Sequence, residues 1–72
     1  MSNFIEEGAI KVIEIIGVSK VSFEDAVQQA VTKASQTIKG ISGVEVTGQS
    51  VGVVDGKVTQ YRTTLKIAFV VK

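Results

Sequence analysis

The first segment of the chain with a clear hydrophobic pattern runs from Ala9 to Gly17 and reads AIKVIEIIG. β-branched residues dominate it and glycines flank it, which is typical of a β-strand. Side chains alternate between the two faces of a strand, and here both faces are apolar, interrupted only by Lys11 and Glu14. The sequence therefore predicts a strand that needs cover on both sides.

An amphipathic helix is predicted next, over about residues 22 to 39. Ser22 stands three residues before Asp25, an acidic variant of the capping pattern that starts helices. Lys39 and Gly40 provide the cation and the glycine that are common at a helix C-terminus. Apolar residues recur at spacings of three and four and define one apolar face: Phe23, Ala26, Val27, Ala30, Val31, Ala34 and Ile38.

The rest of the chain predicts a long β-hairpin from Gly43 to about Val71. Its turn is Asp55-Gly56, a dipeptide favoured in type I′ turns because both positions need a positive φ. The return strand is mostly apolar at odd positions and polar at even positions, as expected for a strand with one buried face. If Val54 pairs with Lys57, the same register places Gly43 opposite Ala68, Val46 opposite Leu65 and Gln49 near Arg62.

The apolar positions change phase along the first strand of the hairpin. Val44 and Val46 are even-numbered, whereas Val51 and Val53 are odd-numbered. An extra residue inserted into the strand would account for this change. We therefore expect a β-bulge near Gly48 to Ser50.

The elements thus follow the order β-α-β-β. This order predicts an α+β fold, a three-stranded antiparallel sheet packed on one helix, and 72 residues leave room for a single domain over residues 1–72. The helix can cover only one side of the sheet, and the hairpin is longer than the helix. Because a small domain with an uncovered apolar face is marginal and prone to associate, we expect self-association.

The composition removes several classes of function. The chain has no Cys and no His, which excludes thiolate chemistry, imidazole metal ligands and histidine-based catalysis. Its net charge is +1 with no basic cluster, so nucleic acid is not an expected partner. No apolar run reaches the roughly 20 residues that span a membrane, and Glu6 and Glu7 stand where a signal peptide carries cations. A cytoplasmic location without membrane contact is the expectation.

The polar residues form no catalytic arrangement in the sequence. The seven Asp and Glu do not match a calcium-binding loop, and the serines have no His to activate them, so no catalytic residue and no enzymatic activity are expected. The candidate ligand-binding residues on the hairpin are Glu45, Gln49, Tyr61 and Arg62. Two interpretations stay open at this point: ordinary pairing on a sheet face, or the polar lining of a cavity between subunits.

Four segments resemble the dodecin family, and together they span nearly the whole chain from Lys11 onward. They are KVIEIIG at Lys11–Gly17, SFEDAV at Ser22–Val27, the strand start at Gly43–Val46 and DGKVTQYRTTLKIAF at Asp55–Phe69. The resemblance implies β-α-β-β subunits that assemble into a hollow homododecamer. It also implies storage of flavins, usually riboflavin or FMN, as stacked pairs at the subunit junctions.

The sequence departs from this family at two positions of the implied ligand site. Flavin-binding dodecins have a Trp at the position of Gly43, which stacks on the flavin ring, and a Gln at the position of Arg62, which contacts the ring. An aromatic pair is worth about 0.5–1.5 kcal/mol beyond its buried area, and this contribution is missing here. We therefore add Gly43 to the candidate ligand-binding residues and expect weak flavin binding.

Three functions follow from these observations. The first is a dodecin-like storage shell that binds a flavin or another small anion. The second is a shell that binds a divalent cation such as calcium, through Glu14, Glu45 or Asp55 brought together by symmetry, since some dodecin relatives without the Trp have been linked to calcium. The third is a structural oligomer without a bound ligand.

Overall fold

The computed structural model describes residues 7 to 71, and its elements follow the predicted order. They are β1 (Ala9–Ser19), α1 (Phe23–Ser35), β2 (Ile41–Val54) and β3 (Lys57–Val71). The strands form one antiparallel sheet in the order β1-β3-β2, so the last strand of the chain is the central one. This confirms the predicted β-α-β-β fold with a three-stranded sheet and one helix.

The first strand is longer than the sequence pattern suggested. β1 pairs with β3 from Ala9, opposite Val71, to Ser19, opposite Tyr61. Gly17 therefore lies inside the strand, and its expected role as the strand end is wrong. It is buried, and a Cβ at this position would overlap the main-chain carbonyl of Ala26 in α1. Gly17 permits close approach of the helix rather than terminating the strand.

The helix begins where the capping pattern placed it. Ser22 is the N-cap, in an extended conformation with φ −166°, and its Oγ accepts a hydrogen bond from the Asp25 amide at 3.0 Å. In a reciprocal capping box the Asp25 carboxylate would accept a hydrogen bond from the Ser22 amide, but here this amide donates to Ser19 Oγ at 3.4 Å. The Asp25 carboxylate accepts a hydrogen bond of 2.6 Å from Ser19 Oγ, and this Oγ in turn accepts one of 2.9 Å from the Val21 amide. The buried end of β1 is thereby tied to the helix start.

The helix ends at Ser35, so its predicted extension to Lys39 is wrong. The Thr37 and Ile38 amides both donate to the Ala34 carbonyl, at 3.2 and 2.9 Å. Because one carbonyl accepts both bonds, the regular helical ladder does not continue past this turn. Gly40, with φ +75°, then directs the chain into β2. Ile38 still packs on the core although it lies outside the helix.

The hairpin keeps the predicted register at its two ends. Asp55 and Gly56 both have positive φ, 51° and 76°, as a type I′ turn requires. Near the middle the prediction fails by one residue, since Gln49 lies opposite Thr63 and not near Arg62. The confirmed pairs are Val54 with Lys57, Val46 with Leu65 and Gly43 with Ala68.

Two bulges that offset each other explain the local shift in the hairpin register. β3 carries an extra residue at Thr59, between the partners of Val53 and Gly52. β2 carries an extra residue at Thr47, close to the predicted bulge at Gly48 to Ser50. The strands therefore run one residue out of the simple register between these two points, and a further shift at Ser42 places Ile41 opposite Phe69.

The core lies between α1 and the β1–β3 half of the sheet. Leu65 and Ile67 of the central strand are fully buried against Ala30 and Ala34 of the helix. These small helix residues let the helix lie close to the sheet. The residues that pack around this cluster are Ile13, Ile15, Val27, Ile38 and Ile41. The sheet face packed on α1 is called the inner face below, and the opposite face is called the outer face.

A large part of the apolar surface has no cover within one chain. On the outer face of β1, Val12 is 53% exposed and Ile16 is 60% exposed. The hairpin end is also uncovered, and its exposed apolar residues are Val51, Val53, Val54 and Val58. The Cα radius of gyration is 14.2 Å, whereas a compact domain of this length has about 11 Å. The subunit is elongated because the hairpin projects beyond the helix.

Candidate ligand-binding surface

Cross-strand pairing places the outer-face residues in rows across the sheet. In an antiparallel sheet, residues paired directly across two strands point to the same face. The rows, read from β1 through β3 to β2, are Val12–Ala68–Gly43, Glu14–Lys66–Glu45, Ile16–Thr64–Gly48 and Val18–Arg62–Ser50. A final pair, Gln60 with Gly52, lies nearest the hairpin turn.

Gly43 opens a groove at one end of this face. The groove has a volume of about 510 Å³. Nothing lies within 4 Å of the position where a Cβ of Gly43 would stand. A large side chain could therefore enter the groove without meeting its own subunit. The lining residues are Val12, Gly43, Val44, Glu45, Lys66 and Ala68.

A row of three charged residues borders the groove. Lys66 on the central strand lies between Glu14 on β1 and Glu45 on β2, and all three side chains are exposed. Neighbouring strands are about 4.8 Å apart, so the two glutamate positions are separated by about 10 Å. A cation placed between these two carboxylates in one chain would meet the Lys66 ammonium. Asp55, the third carboxylate of the calcium hypothesis, lies in the hairpin turn.

Arg62 lies on the same face, nearer the hairpin turn. Its Nε donates a hydrogen bond of 2.6 Å to Oε1 of Gln60. Both side chains lie over Gly52, where a Cβ would stand 2.9 Å from Gln60 Cγ and 3.0 Å from Arg62 Nη2. Gly52 is buried for this reason. Gln60 and Gly52 were not among the residues selected from the sequence, although Gln60 shares the i, i+2 spacing that places it beside Arg62.

Tyr61 and Gln49 lie on the inner face instead. The Tyr61 ring packs edge-to-face on Phe23 of α1, with ring centroids 5.1 Å apart and an interplanar angle of 78°. Gln49 lies opposite the buried Thr63, whose Oγ1 donates to the Phe23 carbonyl at 3.2 Å. In a single chain, the Tyr61 ring therefore packs against the start of the helix. It does not supply an aromatic surface beside Arg62.

One chain thus does not bring the five candidate residues together. Gly43, Glu45 and Arg62 share the outer face, whereas Gln49 and Tyr61 share the inner face. Gly43 pairs with Ala68, which lies six positions from Arg62 on β3, or about 20 Å along the strand. A ligand that contacts both positions would need residues from more than one chain.

The described residues also give no metal centre within a single chain. Among residues 7 to 71, no group of three Asp or Glu is placed to hold a metal ion. The helix in this part of the chain is too short and too polar to cross a membrane.

The family model for dodecin matches residues 9–72, nearly the whole sequence. The chain belongs to the dodecin family. This confirms the resemblance found in the four sequence segments. No curated protein matches the sequence.

Solved dodecin structures agree with this assignment. The dodecin from Streptomyces coelicolor is 32% identical, with a TM-score of 0.90, and the alignment covers 94% of this chain and 97% of that one. The calcium dodecin from Mycobacterium tuberculosis is 35% identical, with a TM-score of 0.81 and coverage of 90% and 93%. The dodecin from Streptomyces davaonensis is 25% identical, with a TM-score of 0.85 and coverage of 89% and 94%.

Family membership supports a coarse function, a dodecin-like protein that binds small ligands. The residues present do not fit the flavin site that the resemblance implies. The chain contains no Trp, Gly43 leaves its groove open, and the Tyr61 ring is held against Phe23. In one chain, no aromatic side chain borders the Gly43 groove among the residues that the structure describes.

Proposed function

We propose that the chain forms a hollow homo-oligomeric shell, a homododecamer, that binds and stores small ligands at its subunit junctions. The observation that carries this proposal is the uncovered apolar outer face. Val12 and Ile16, on either side of the charged row, are more than half exposed in one chain, and large exposed apolar areas mark interaction sites. Self-association would cover this face and the projecting hairpin together.

The distance between Gly43 and Arg62 supports ligand binding at junctions rather than within a subunit. These positions are about 20 Å apart on one chain, so a small ligand cannot reach both. In a symmetric oligomer, the Gly43 end of one outer face can lie near the Arg62 end of another.

Sedimentation tests the assembly directly. A homododecamer has a mass of about 91 kDa, twelve times the 7.6 kDa of the chain. We expect this mass at micromolar protein concentration. A Val12→Asp change places a charge on the exposed apolar face and should dissociate the shell, whereas Val21→Asp, at a 75% exposed position in the turn between β1 and α1, is the matched control for surface charge. A monomeric wild-type protein would refute the proposal.

Flavin binding is expected to be weak, because Gly43 offers no stacking surface. Since nothing lies within 4 Å of its Cβ position, Gly43→Trp should fold and place an indole in the groove. Arg62 has donors only, whereas Gln can also accept the flavin ring N–H. The double change Gly43→Trp with Arg62→Gln should therefore bind riboflavin more tightly than either single change.

Fluorescence quenching of riboflavin measures this series of variants. The single change Arg62→Gln controls for loss of the charge without a new aromatic surface. Nanomolar riboflavin binding by the wild-type protein would show that these two positions do not decide flavin affinity.

Calcium is the second candidate ligand, favoured by the 35% identity to the calcium dodecin from M. tuberculosis. Glu14 and Glu45 flank Lys66 in one row, so a calcium site would need carboxylates from more than one chain. Calcium should then raise the melting temperature, EDTA should reverse the gain, and Glu45→Gln should abolish it. An equal gain with Glu45→Gln would rule out this residue as a ligand.

The remaining features of this proposal are a non-catalytic role and a cytoplasmic location. A non-catalytic role is supported by the lack of His and Cys in the sequence. An activity screen that found saturable turnover abolished by Ser22→Ala would contradict it. Fractionation of the source cells would test the location.

A further inference from the structure

The Arg62 guanidinium has a hydrogen-bond partner on the outer face. Its Nε donates to Gln60 Oε1 at 2.6 Å, and its Nη2 lies 3.0 Å from the position that a Cβ of Gly52 would occupy. Any side chain at position 52 would displace it. Glycine at this position therefore lets the guanidinium lie close to the backbone of β2.

The groups around this guanidinium retain hydrogen-bond donors. A guanidinium has five N–H donors, and the bond to Gln60 uses one of them. The Gln60 amide oxygen is the acceptor in that bond, so its amide N–H₂ group remains as a donor. Ser50, paired with Arg62 across the strands, adds a hydroxyl on the same face. Three side chains thus present donors at one place.

No carboxylate neutralises Arg62 within the described residues. Its own row holds Val18 and Ser50, and the rows on either side hold Ile16–Thr64–Gly48 and Gln60–Gly52. The nearest carboxylate row on this face is that of Glu14 and Glu45, four residues further along β3, or about 13 Å. This distance exceeds the Debye length of about 8 Å at physiological ionic strength. Among the described residues of its sheet face, Arg62 therefore has no counter-charge within one Debye length.

We propose that Arg62, Gln60 and Ser50 form a binding site for an oxyanion, a phosphate monoester or a carboxylate. The planar fork of the guanidinium matches the paired oxygens of both groups, and charge-assisted bonds of this kind are the stronger ones. Gly48 and Gly52 have no side chains to block access from β2. The site deepens the proposed ligand-binding function by specifying an anionic ligand group, and it does not require a flavin.

Titration calorimetry at low ionic strength tests the site with two probes, phenyl phosphate and benzoate, on the full-length assembled protein. We expect saturable binding of at least one probe, weakened roughly tenfold or more by Arg62→Gln. Ser50→Ala should weaken it by a smaller factor. Lys33→Gln, an equal charge change on the helix, should leave the affinity unchanged. Tighter binding of phenyl phosphate identifies a phosphate monoester as the ligand class, and tighter binding of benzoate identifies a carboxylate.

Three results would overturn the proposal. The first is the absence of saturable binding for both probes. The second is equal affinity in the wild-type protein and Arg62→Gln. The third is a lower melting temperature of Arg62→Gln without any effect of the anions, which would mean that a carboxylate of a second subunit pairs with Arg62. Sedimentation and riboflavin binding test the proposed shell independently of the anion probes. Failure of the anion site can therefore be distinguished from failure of the proposed shell.

Discussion

The contact between Gly17 and Ala26 yields the sharpest prediction about the fold. Gly17 is buried in β1 at the point where α1 crosses the strand. A Cβ at this position would overlap the carbonyl oxygen of Ala26 and stand 2.8 Å from its carbonyl carbon and 3.0 Å from the Ala30 Cβ. These are two main-chain atoms and a methyl group, none of which can rotate away. Gly17→Ala must therefore push the helix off the sheet.

The expected cost follows from this geometry. Overpacking a core typically costs about 1–3 kcal/mol, and occasionally more. Because backbone must move here, we expect a loss of about 3 kcal/mol, at the upper end of that range. For a domain of 60–100 residues, each kcal/mol lowers the melting temperature by about 4–8 °C. Gly17→Ala should therefore melt about 12–24 °C below the wild-type protein.

Thermal unfolding followed by circular dichroism measures this effect. All variants must be compared at one subunit concentration, because assembly makes the melting temperature depend on concentration. Gly43→Ala is the matched control, since nothing lies within 4 Å of its Cβ position and the cost should stay within about 0.5 kcal/mol. Equal melting temperatures for the two variants would show that α1 does not approach β1 as described.

Two hydrogen-bond deletions test how the helix start is anchored. Ser19→Ala removes the partner of both the Asp25 carboxylate and the Val21 amide and should cost about 2 kcal/mol in thermal unfolding, while Ser35→Ala at the exposed helix end should cost far less. Thr63→Val removes the bond to the Phe23 carbonyl with little change of shape and should cost about 1 kcal/mol, whereas the exposed Thr59→Val should be nearly neutral. If either control lost as much stability as its partner variant, the anchoring role would be refuted.

The elements could be predicted from the sequence because each has a local signal. The Ser22–Asp25 spacing identified the helix start, and Asp55-Gly56 fixed the turn and the register next to it. The helix end was wrong because the apolar stripe continues to Ile38, which packs on the core from outside the helix. A stripe of apolar residues indicates which side chains are buried. A side chain can be buried beyond the last regular hydrogen bond of the helix.

The errors in the hairpin also have a physical cause. The phase change of the valines required one bulge, and one is present at Thr47. The second bulge, at Thr59, lies in a segment with few apolar residues. The alternation of apolar and polar positions therefore does not reveal it. Because of this second bulge, Gln49 lies opposite Thr63 and not opposite Arg62, so Gln49 and Arg62 lie on opposite faces of the sheet. The candidate site was therefore less predictable than the fold, since the face of each residue depends on every bulge before it.

The residues that anchor the helix and the proposed binding positions lie on opposite faces of the sheet. Gly17, Ser19 and Thr63 anchor α1 on the inner face, whereas Gly43 and Arg62 lie on the outer face, away from the helix. Substitutions at the two outer-face positions leave the contacts with α1 intact. The proposed ligand-site residues of this chain can therefore change while the subunit fold is kept. Under the proposed function, the ligand changes from a stacked aromatic ring to an anion, because Gly43 offers no stacking side chain and Arg62 adds a positive charge.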